Sequence, residues 1–214
     1  MHRFTPYSPQ ALVRLIGARC LERPSRLRVA IDGPPAGNPR SLADRTAQWL
    51  RENGRPAAVV DLEDFQLPAS QRLETGRDDP DSYEFRWFDY AALGREVLDP
   101  LAPEAGASSS WLPRLYDVRT DRAVRVARKQ AQPGLVLLVS GPMLLGRWLD
   151  FDLTVLLSMD EPVLKRRTPI PAQFTVPVLA RYQDELVQVP DILVRYNHPD
   201  RPAVAVEDES SEGP

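Results

Sequence analysis

The sequence predicts an α/β fold of three layers, in which helices flank a mostly parallel central β-sheet. Three observations support this prediction. Apolar runs of strand length alternate along the chain with segments of helical spacing. The most apolar run, residues 134–140, lacks polar alternation, which is typical of a strand covered on both faces of a parallel sheet. A tight Gly-containing turn, residues 33–37, joins a predicted strand to a predicted helix.

In the first half of the chain, each expected element is an apolar pattern bounded by Gly, Pro, Ser or Asn. These elements are a helix between Ser8 and Pro24, a strand over residues 26–32, a helix that ends at Asn53-Gly54, a strand over residues 57–62, a surface excursion over residues 68–80, and a helix within residues 83–99.

The second half follows the same rules. Its expected elements are a small β-hairpin excursion (strands 111–118 and 123–127 around Arg119-Thr120-Asp121), strands over residues 134–140, 151–157 and 191–196, and helices over residues 161–167 and 178–187. The predicted organisation is an N-terminal amphipathic helix (residues 1–25), one domain (residues 26–198) and an acidic, disordered tail (residues 199–214).

Composition excludes several classes of function. A net charge of −3 gives no reason to expect nucleic acid or an anionic membrane as the main partner. No apolar run approaches the length of a membrane span, and no signal-peptide pattern is visible, so we expect a cytoplasmic protein. The single cysteine, Cys20, argues against a disulfide or a thiolate zinc site. His2 and His198, the two histidines, lie near the ends and disfavour a catalytic triad.

The stretch from Gly33 to Ser41 has the layout of a phosphate-binding loop, in which backbone N–H groups at a helix N-terminus meet an anion. Against the pattern G-x-x-x-x-G-K-[ST], the last three positions are Asn38, Pro39 and Arg40. Proline supplies neither the charge of the lysine nor an N–H group. If the loop is shifted by one residue, Arg40-Ser41 stand in for Lys-[ST], although arginine is bulkier and forked.

The order of motifs along residues 26–200 resembles that of the bacterial uridine kinase-like P-loop proteins. The matching segments are Ile31-Asp-Gly-Pro34, Ser41-Leu-Ala-Asp44, Leu62-Glu-Asp-Phe65, Phe88-Asp-Tyr90, Tyr116-Asp-Val-Arg-Thr-Asp121, Leu137-Leu-Val-Ser-Gly141, Asp152-Leu-Thr-Val155 and Asp191-Ile-Leu-Val194. The resemblance implies a P-loop NTPase fold. It also implies ATP-dependent, magnesium-assisted phosphoryl transfer to a nucleoside hydroxyl.

The resemblance also implies roles for individual residues. It places nucleotide binding at Gly33, Ala36, Gly37, Asn38, Arg40 and Ser41, with Ser41 as the metal ligand. It places proton abstraction at Glu63 with Asp64 beside it, and lid cations at Arg166, Arg167 and Arg181. It places the substrate pocket at Asp81, Tyr83, Phe88, Tyr116 and Arg119, with Asp117 and Asp121 nearby. Ser140 stands where the family has an acid.

Each of these roles has a structural alternative. Aromatic side chains are more often core, strand-end carboxylates are often solvated, and a helix can end in exposed arginines. Three functional hypotheses remain. The first is a pseudokinase that binds a nucleoside-like small molecule, a protein partner or a second copy of itself. The second is an active kinase with ATP and Mg²⁺ that uses Arg40, Ser41, Glu63 and the lid arginines. The third is a structural domain without a ligand.

Overall fold

The computed structural model describes residues 3–103, 106 and 109–206, and the elements that follow are those found within them. Eleven strands are present: β1 (Arg3–Pro6), β2 (Leu27–Asp32), β3 (Ala57–Asp61), β4 (Ser110–Trp111), β5 (Tyr116–Asp117), β6 (Arg122–Ala123), β7 (Lys129–Gln130), β8 (Val136–Gly141), β9 (Leu153–Ser158), β10 (Ile192–Arg195) and β11 (Ala203–Val206). Seven α-helices accompany them: α1 (Pro9–Leu21), α2 (Pro39–Glu52), α3 (Ala69–Arg72), α4 (Pro80–Phe85), α5 (Tyr90–Leu93), α6 (Glu161–Arg167) and α7 (Val176–Glu185).

Seven of the strands form one central sheet in the order β1-β11-β10-β9-β2-β8-β3. The five strands from β10 to β3 run parallel, and β11 and β1 add an antiparallel edge. All residues of β2 and β8 are buried, including Arg28 and Asp32 of β2. For β8 this agrees with the apolar run that predicts a strand covered on both faces. The helices flank this sheet, so the predicted α/β fold with a mostly parallel central sheet is confirmed.

The position of the central strands decides where a site can form. β2 lies between β8 and β9, and its residues Asp32 and Ile31 stand opposite Gly141 and Ser140 of β8. On the other side of β8, Asp61 of β3 is also opposite Ser140. Because parallel strands end at the same side of the sheet, the loops that follow these strands meet there.

The antiparallel edge corrects the predicted organisation of both termini. Residues 1–25 were expected to hold only a helix, yet Arg3–Pro6 forms a strand that pairs with Ala203–Val206. The prediction of a disordered tail is therefore wrong for residues 203–206, and residues 207–214 lie outside the described part of the chain. Both strands are short and their partners are far apart in sequence, so local composition carried no signal for their pairing.

The hairpin excursion is present but smaller than predicted. Tyr116–Asp117 pairs with Arg122–Ala123, and Ser110–Trp111 pairs with Lys129–Gln130. These two-residue pairs replace the longer strands expected over residues 111–118 and 123–127. Pro113 interrupts the first segment, because proline has no N–H group to donate to a neighbouring strand.

In the described residues no helix has the length and apolar character needed to cross a membrane.

The stretch between β3 and β4 is built from short helices rather than one long one. α4 and α5 are separated by residues 86–89, and α5 continues into a π-helical turn, Gly94–Leu98. The single helix expected within residues 83–99 is therefore broken. Asp89 begins α5 by accepting the N–H of Ala92 at 2.8 Å, and this cap fixes the break. The surface excursion expected over residues 68–80 contains α3.

Candidate functional site at the C-terminal edge of the sheet

The predicted strand–turn–helix after β2 is present. Gly33 extends β2 by donating its N–H to the carbonyl oxygen of Gly141 at 3.0 Å. A 3₁₀ turn, Pro35–Gly37, follows, and Asn38 adopts a left-handed conformation (φ 50°, ψ 58°). The side chain of Asn38 accepts the N–H of Ser41 at 3.2 Å and so caps α2. Asn38 thus stands at the second glycine of the pattern G-x-x-x-x-G-K-[ST] and adopts a left-handed conformation of the kind that glycine also takes readily.

The backbone N–H groups of this loop are mostly unable to meet an anion. Residues 33–41 contain three prolines, which have no N–H group. The N–H groups that form hydrogen bonds within the protein are Gly33 to Gly141 (3.0 Å), Gly37 to Pro34 (2.8 Å), Asn38 to Pro35 (2.9 Å) and Ser41 to Asn38 (3.1 Å). In the described part of the chain, only Ala36 and Arg40 of this segment keep an N–H group without such a bond. The loop therefore retains two of the donors that a phosphate cradle needs.

The register of α2 places the proline at the position of the missing lysine. α2 begins at Pro39, which is buried, and Arg40 is its second residue. The Nε atom of Arg40 lies 2.9 Å from a carboxylate oxygen of Asp44, and its Nη1 atom lies 3.4 Å from one of Asp61. The guanidinium group is thus directed to the helix and to the end of β3. Ser41, the predicted metal ligand, is exposed, and its role stays a prediction.

Glu63 and its neighbouring carboxylates follow β3 in a 3₁₀ turn, Leu62–Phe65. The side chain of Gln66 donates a hydrogen bond to Glu63. Glu63 keeps contact with solvent, yet the protein atoms around its carboxyl, and next the negative charge of Asp61, raise its pKa to about 7. Asp64 forms an ion pair with Arg114 at 3.1 Å. A carboxyl group with a pKa near neutrality is suited to accept a proton, which is the role predicted for Glu63.

The predicted substrate residues occupy two different settings. Tyr83 is only 3% exposed and packs edge-on against Phe88, with ring centroids 6.0 Å apart, so both belong to the core. The hydroxyl of Tyr116 donates a hydrogen bond to the carboxylate of Asp121 at 2.6 Å. This bond joins β5 to the turn that follows it. The side chain of Arg119 is almost fully exposed. Asp81 is exposed on α4. A ligand contact for any of these residues stays a prediction.

Two of the candidate lid arginines, Arg166 and Arg167, lie at the end of α6. Arg167 and Arg45 both act electrostatically on the hydroxyl of Tyr196, whose pKa is raised chiefly by burial. Tyr196 in turn lies beside Gly37, where a Cβ atom would be 3.6 Å from its ring. Arg166 is exposed at the same helix end. Arg181 of α7 is engaged by Glu84 in an ion pair.

Asp32 and Tyr182 were missed by the sequence reasoning. Asp32 is fully buried at the end of β2, where its carboxylate accepts the hydroxyl of Tyr182 and the N–H of Leu145. Burial raises the pKa of Asp32 to about 6. Its other carboxylate oxygen, Oδ1, has no hydrogen-bond partner among the described residues. The Ile31-Asp-Gly motif could have indicated Asp32, but nothing local indicates Tyr182.

The residues at this edge do not fit a magnesium ion. Mg²⁺ requires oxygen ligands in octahedral geometry, usually carboxylates with a loop hydroxyl. Here an arginine stands at the hydroxyl position, and Ser140 donates its hydroxyl to the carbonyl of Val60 at 3.4 Å. The carboxylates of Asp61 and Asp44 are both engaged by Arg40. Among the residues described, no three His, Cys, Asp or Glu side chains are grouped to hold a metal.

Comparisons with known proteins identify the fold. No protein-family model and no curated protein sequence matches the chain. A solved structure titled "Structure of a Possible Uridine Kinase from Bacillus stearothermophilus" matches with a TM-score of 0.62 and 21% identity, over 84% of this chain and 97% of that one. A "putative fructose transport system kinase from Silicibacter sp. TM1040" matches with a TM-score of 0.61 and 20% identity, over 87% and 98%.

These likenesses, at about one identical residue in five, show the fold and leave the chemistry open. The chain therefore has the same α/β fold as these two solved structures, a mostly parallel sheet flanked by helices, and this confirms the fold class that the sequence predicts. The match spans nearly the full length of both solved structures, so no large part of their fold is missing here.

Proposed function

We propose that the protein is a kinase-like binding protein, that is, a pseudokinase that has lost phosphoryl transfer. It has kept the part of the site around Asp61, Glu63 and Asp64, called here the acceptor side, where a hydroxyl substrate would bind. The observation that carries this proposal is the state of the loop over residues 33–41. Three prolines and four internally bonded N–H groups leave two donors for a triphosphate, and no lysine stands at the helix start. Donors and cations around the transferring phosphate supply most of the catalysis in this reaction, so transfer should be lost with them.

The acceptor side supports binding of a small polar molecule. Asp61 is the last residue of β3, and Glu63 and Asp64 lie in the 3₁₀ turn that follows it. Next to them, the carbonyl oxygen of the Gln66 side chain is buried without a hydrogen-bond partner among the described residues. Buried polar atoms are normally satisfied, so this oxygen indicates a position for water or for a ligand that carries hydroxyl or amino groups. A nucleoside-like molecule has such groups.

The test separates the acceptor side from the triphosphate side. The full chain is titrated by calorimetry with a panel of nucleosides, and separately with ATP in the presence and absence of Mg²⁺. We expect binding of at least one nucleoside-like ligand, no heat from ATP, and no ADP formed when both are present. Glu63→Gln should weaken the nucleoside binding. The control is Glu74→Gln, which should leave the binding unchanged because Glu74 is exposed and forms its ion pair with Arg86.

A second candidate function, an active kinase, is favoured by one observation. The pKa of Glu63, about 7, would let it accept the proton of a hydroxyl substrate at neutral pH. In that case ADP forms with a nucleoside present, and Glu63→Gln abolishes it. Formation of ADP would therefore overturn the first proposal, and absence of both ADP and nucleoside binding would overturn both proposals for a small-molecule site. A protein partner or self-association remains a separate prediction, to be tested by measuring the mass in solution.

A further inference from the structure

We infer that the guanidinium group of Arg40 takes the place of the metal ion at this site, so that the loop neither needs nor binds a divalent cation. This inference rests on the proposed function only in that it concerns the same loop. In the pattern G-x-x-x-x-G-K-[ST], the last position supplies a hydroxyl that binds Mg²⁺. Arg40 holds that position here, as the second residue of α2.

The contacts of Arg40 show what its charge does. Its guanidinium bridges Asp44, one turn along α2, and Asp61, at the end of β3. The distances are 2.9 Å and 3.4 Å. One positive charge thus joins two negative ones that belong to different elements, which is the bridging role a bound cation would have between them. A metal ion would have to displace the guanidinium, whose charge is permanent at any physiological pH.

The electrostatic effects on Asp61 and on Arg40 itself are consistent with this assignment. Burial is the largest influence on Asp61 and raises its pKa, while the neighbouring Arg40 acts in the opposite direction and keeps the ionised form accessible. Asp44 is the principal partner of Arg40 and, with Asp61, raises the pKa of the guanidinium against the effect of burial. Removal of Arg40 would leave Asp61 and Asp44 as adjacent acids without a counter-charge in contact.

This arrangement makes a gain of function testable. Arg40→Ser restores a hydroxyl at the loop position and frees two carboxylates, which together are oxygen ligands of the type that Mg²⁺ and Mn²⁺ accept. The matched control is Arg45→Ser on the same helix. It changes the net charge equally, but Arg45 has no ion pair with a carboxylate among the described residues, so it frees none.

The assay is Mn²⁺ binding to the full chain without nucleotide, followed by electron paramagnetic resonance. In the native protein and in Arg45→Ser we expect only weak Mn²⁺ binding that does not saturate. In Arg40→Ser we expect one saturable site, with an affinity at least tenfold above that weak background. The site should be lost again in Arg40→Ser combined with Asp61→Asn. Circular dichroism verifies that each variant is folded, and Arg40→Gln, which keeps the side-chain length, should also gain Mn²⁺ binding.

A saturable Mn²⁺ site in the native protein, or equal gains in the Arg40 and Arg45 variants, would overturn the inference. Because no nucleotide is present, neither result depends on whether the loop binds triphosphate. The proposed function fails separately, through ADP formation or through absence of nucleoside binding.

Discussion

The hydroxyl of Tyr182 donates a hydrogen bond to the carboxylate of Asp32, across 150 positions of sequence, and so ties α7 to the end of β2. The N–H of Leu145 donates to the same oxygen at 2.9 Å. The nitrogen of Leu145 also lies 3.1 Å from the hydroxyl oxygen of Tyr182, so two donors from two different segments meet at one carboxylate oxygen of Asp32. Asp32 immediately precedes Gly33, and the position of α7 is therefore coupled to the base of the loop.

The ionisation of Asp32 should make stability depend on pH. The ordinary pKa of 3.8 applies to the unfolded chain, and the folded value is about 6. Between these values the folded state binds more protons, so the free energy of unfolding falls as pH rises from about 4 to about 6. The shift of about 2 pKa units corresponds to about 3 kcal/mol, lost in full above the folded pKa.

Asp32→Asn should remove this dependence, because an amide has no charge to bury. Urea denaturation of both proteins from pH 4 to pH 8 measures the effect. We expect the difference in unfolding free energy to move in favour of the variant as pH rises through this window. Parallel curves for the two proteins would show that Asp32 does not titrate in the folded state as described.

Tyr182→Phe should destabilise the protein by roughly 1–3 kcal/mol, the usual consequence of leaving a buried group without its donor. It should also raise the pKa of Asp32 further, since the lost hydrogen bond favours the carboxylate. Denaturant unfolding at pH 7 and hydrogen exchange in α7 report these effects. Tyr7→Phe is the matched control, because no hydrogen bond of its hydroxyl is found among the described residues, and it should cost little.

Gly33 and Gly37 should respond differently to alanine. A Cβ atom at Gly33 would lie 2.8 Å from the Cβ atom of Leu157, which cannot move without its strand. We therefore expect Gly33→Ala to destabilise the fold by about 1–3 kcal/mol. At Gly37 the nearest atom would be the sulfur of Met159 at 3.4 Å, an ordinary contact on a flexible side chain. Gly37→Ala should change the urea midpoint little. Equal losses in the two variants would contradict the packing explanation for Gly33.

The carboxyl of Glu63 should titrate near pH 7, which carbon-13 NMR of the side chain can follow. Asp61→Asn should lower this midpoint, because the charge of Asp61 is the largest electrostatic influence that raises it. Asp64→Asn should lower it less, since the charge of Asp64 has a smaller effect. A midpoint that stays near the ordinary value of 4.5 would remove the basis for a proton-accepting role of Glu63.

The candidate site was predictable in its location but less so in its chemistry. The motif order placed Gly33, Glu63 and Ser140 at neighbouring strand ends, and the sheet register brings these ends together. The sequence also showed that the lysine of the loop is absent. The sequence left open whether Arg40 could replace that lysine, because the direction of a long side chain depends on the groups that it contacts in the folded protein. The carboxylates of Asp44 and Asp61 decide that direction.

The sequence by itself determined the buried strands, the long α2 and the turn between β2 and α2. Each of these follows from apolar spacing and from local signals such as Asn38, Pro39 and Gly54. Tertiary structure alone decided the pairing of β1 with β11, the bond between Asp32 and Tyr182, and the bridge from Arg40 to Asp61. The physical reason is that spacing records which residues are buried, whereas the partner of a buried polar group is set by the packing of segments distant in sequence.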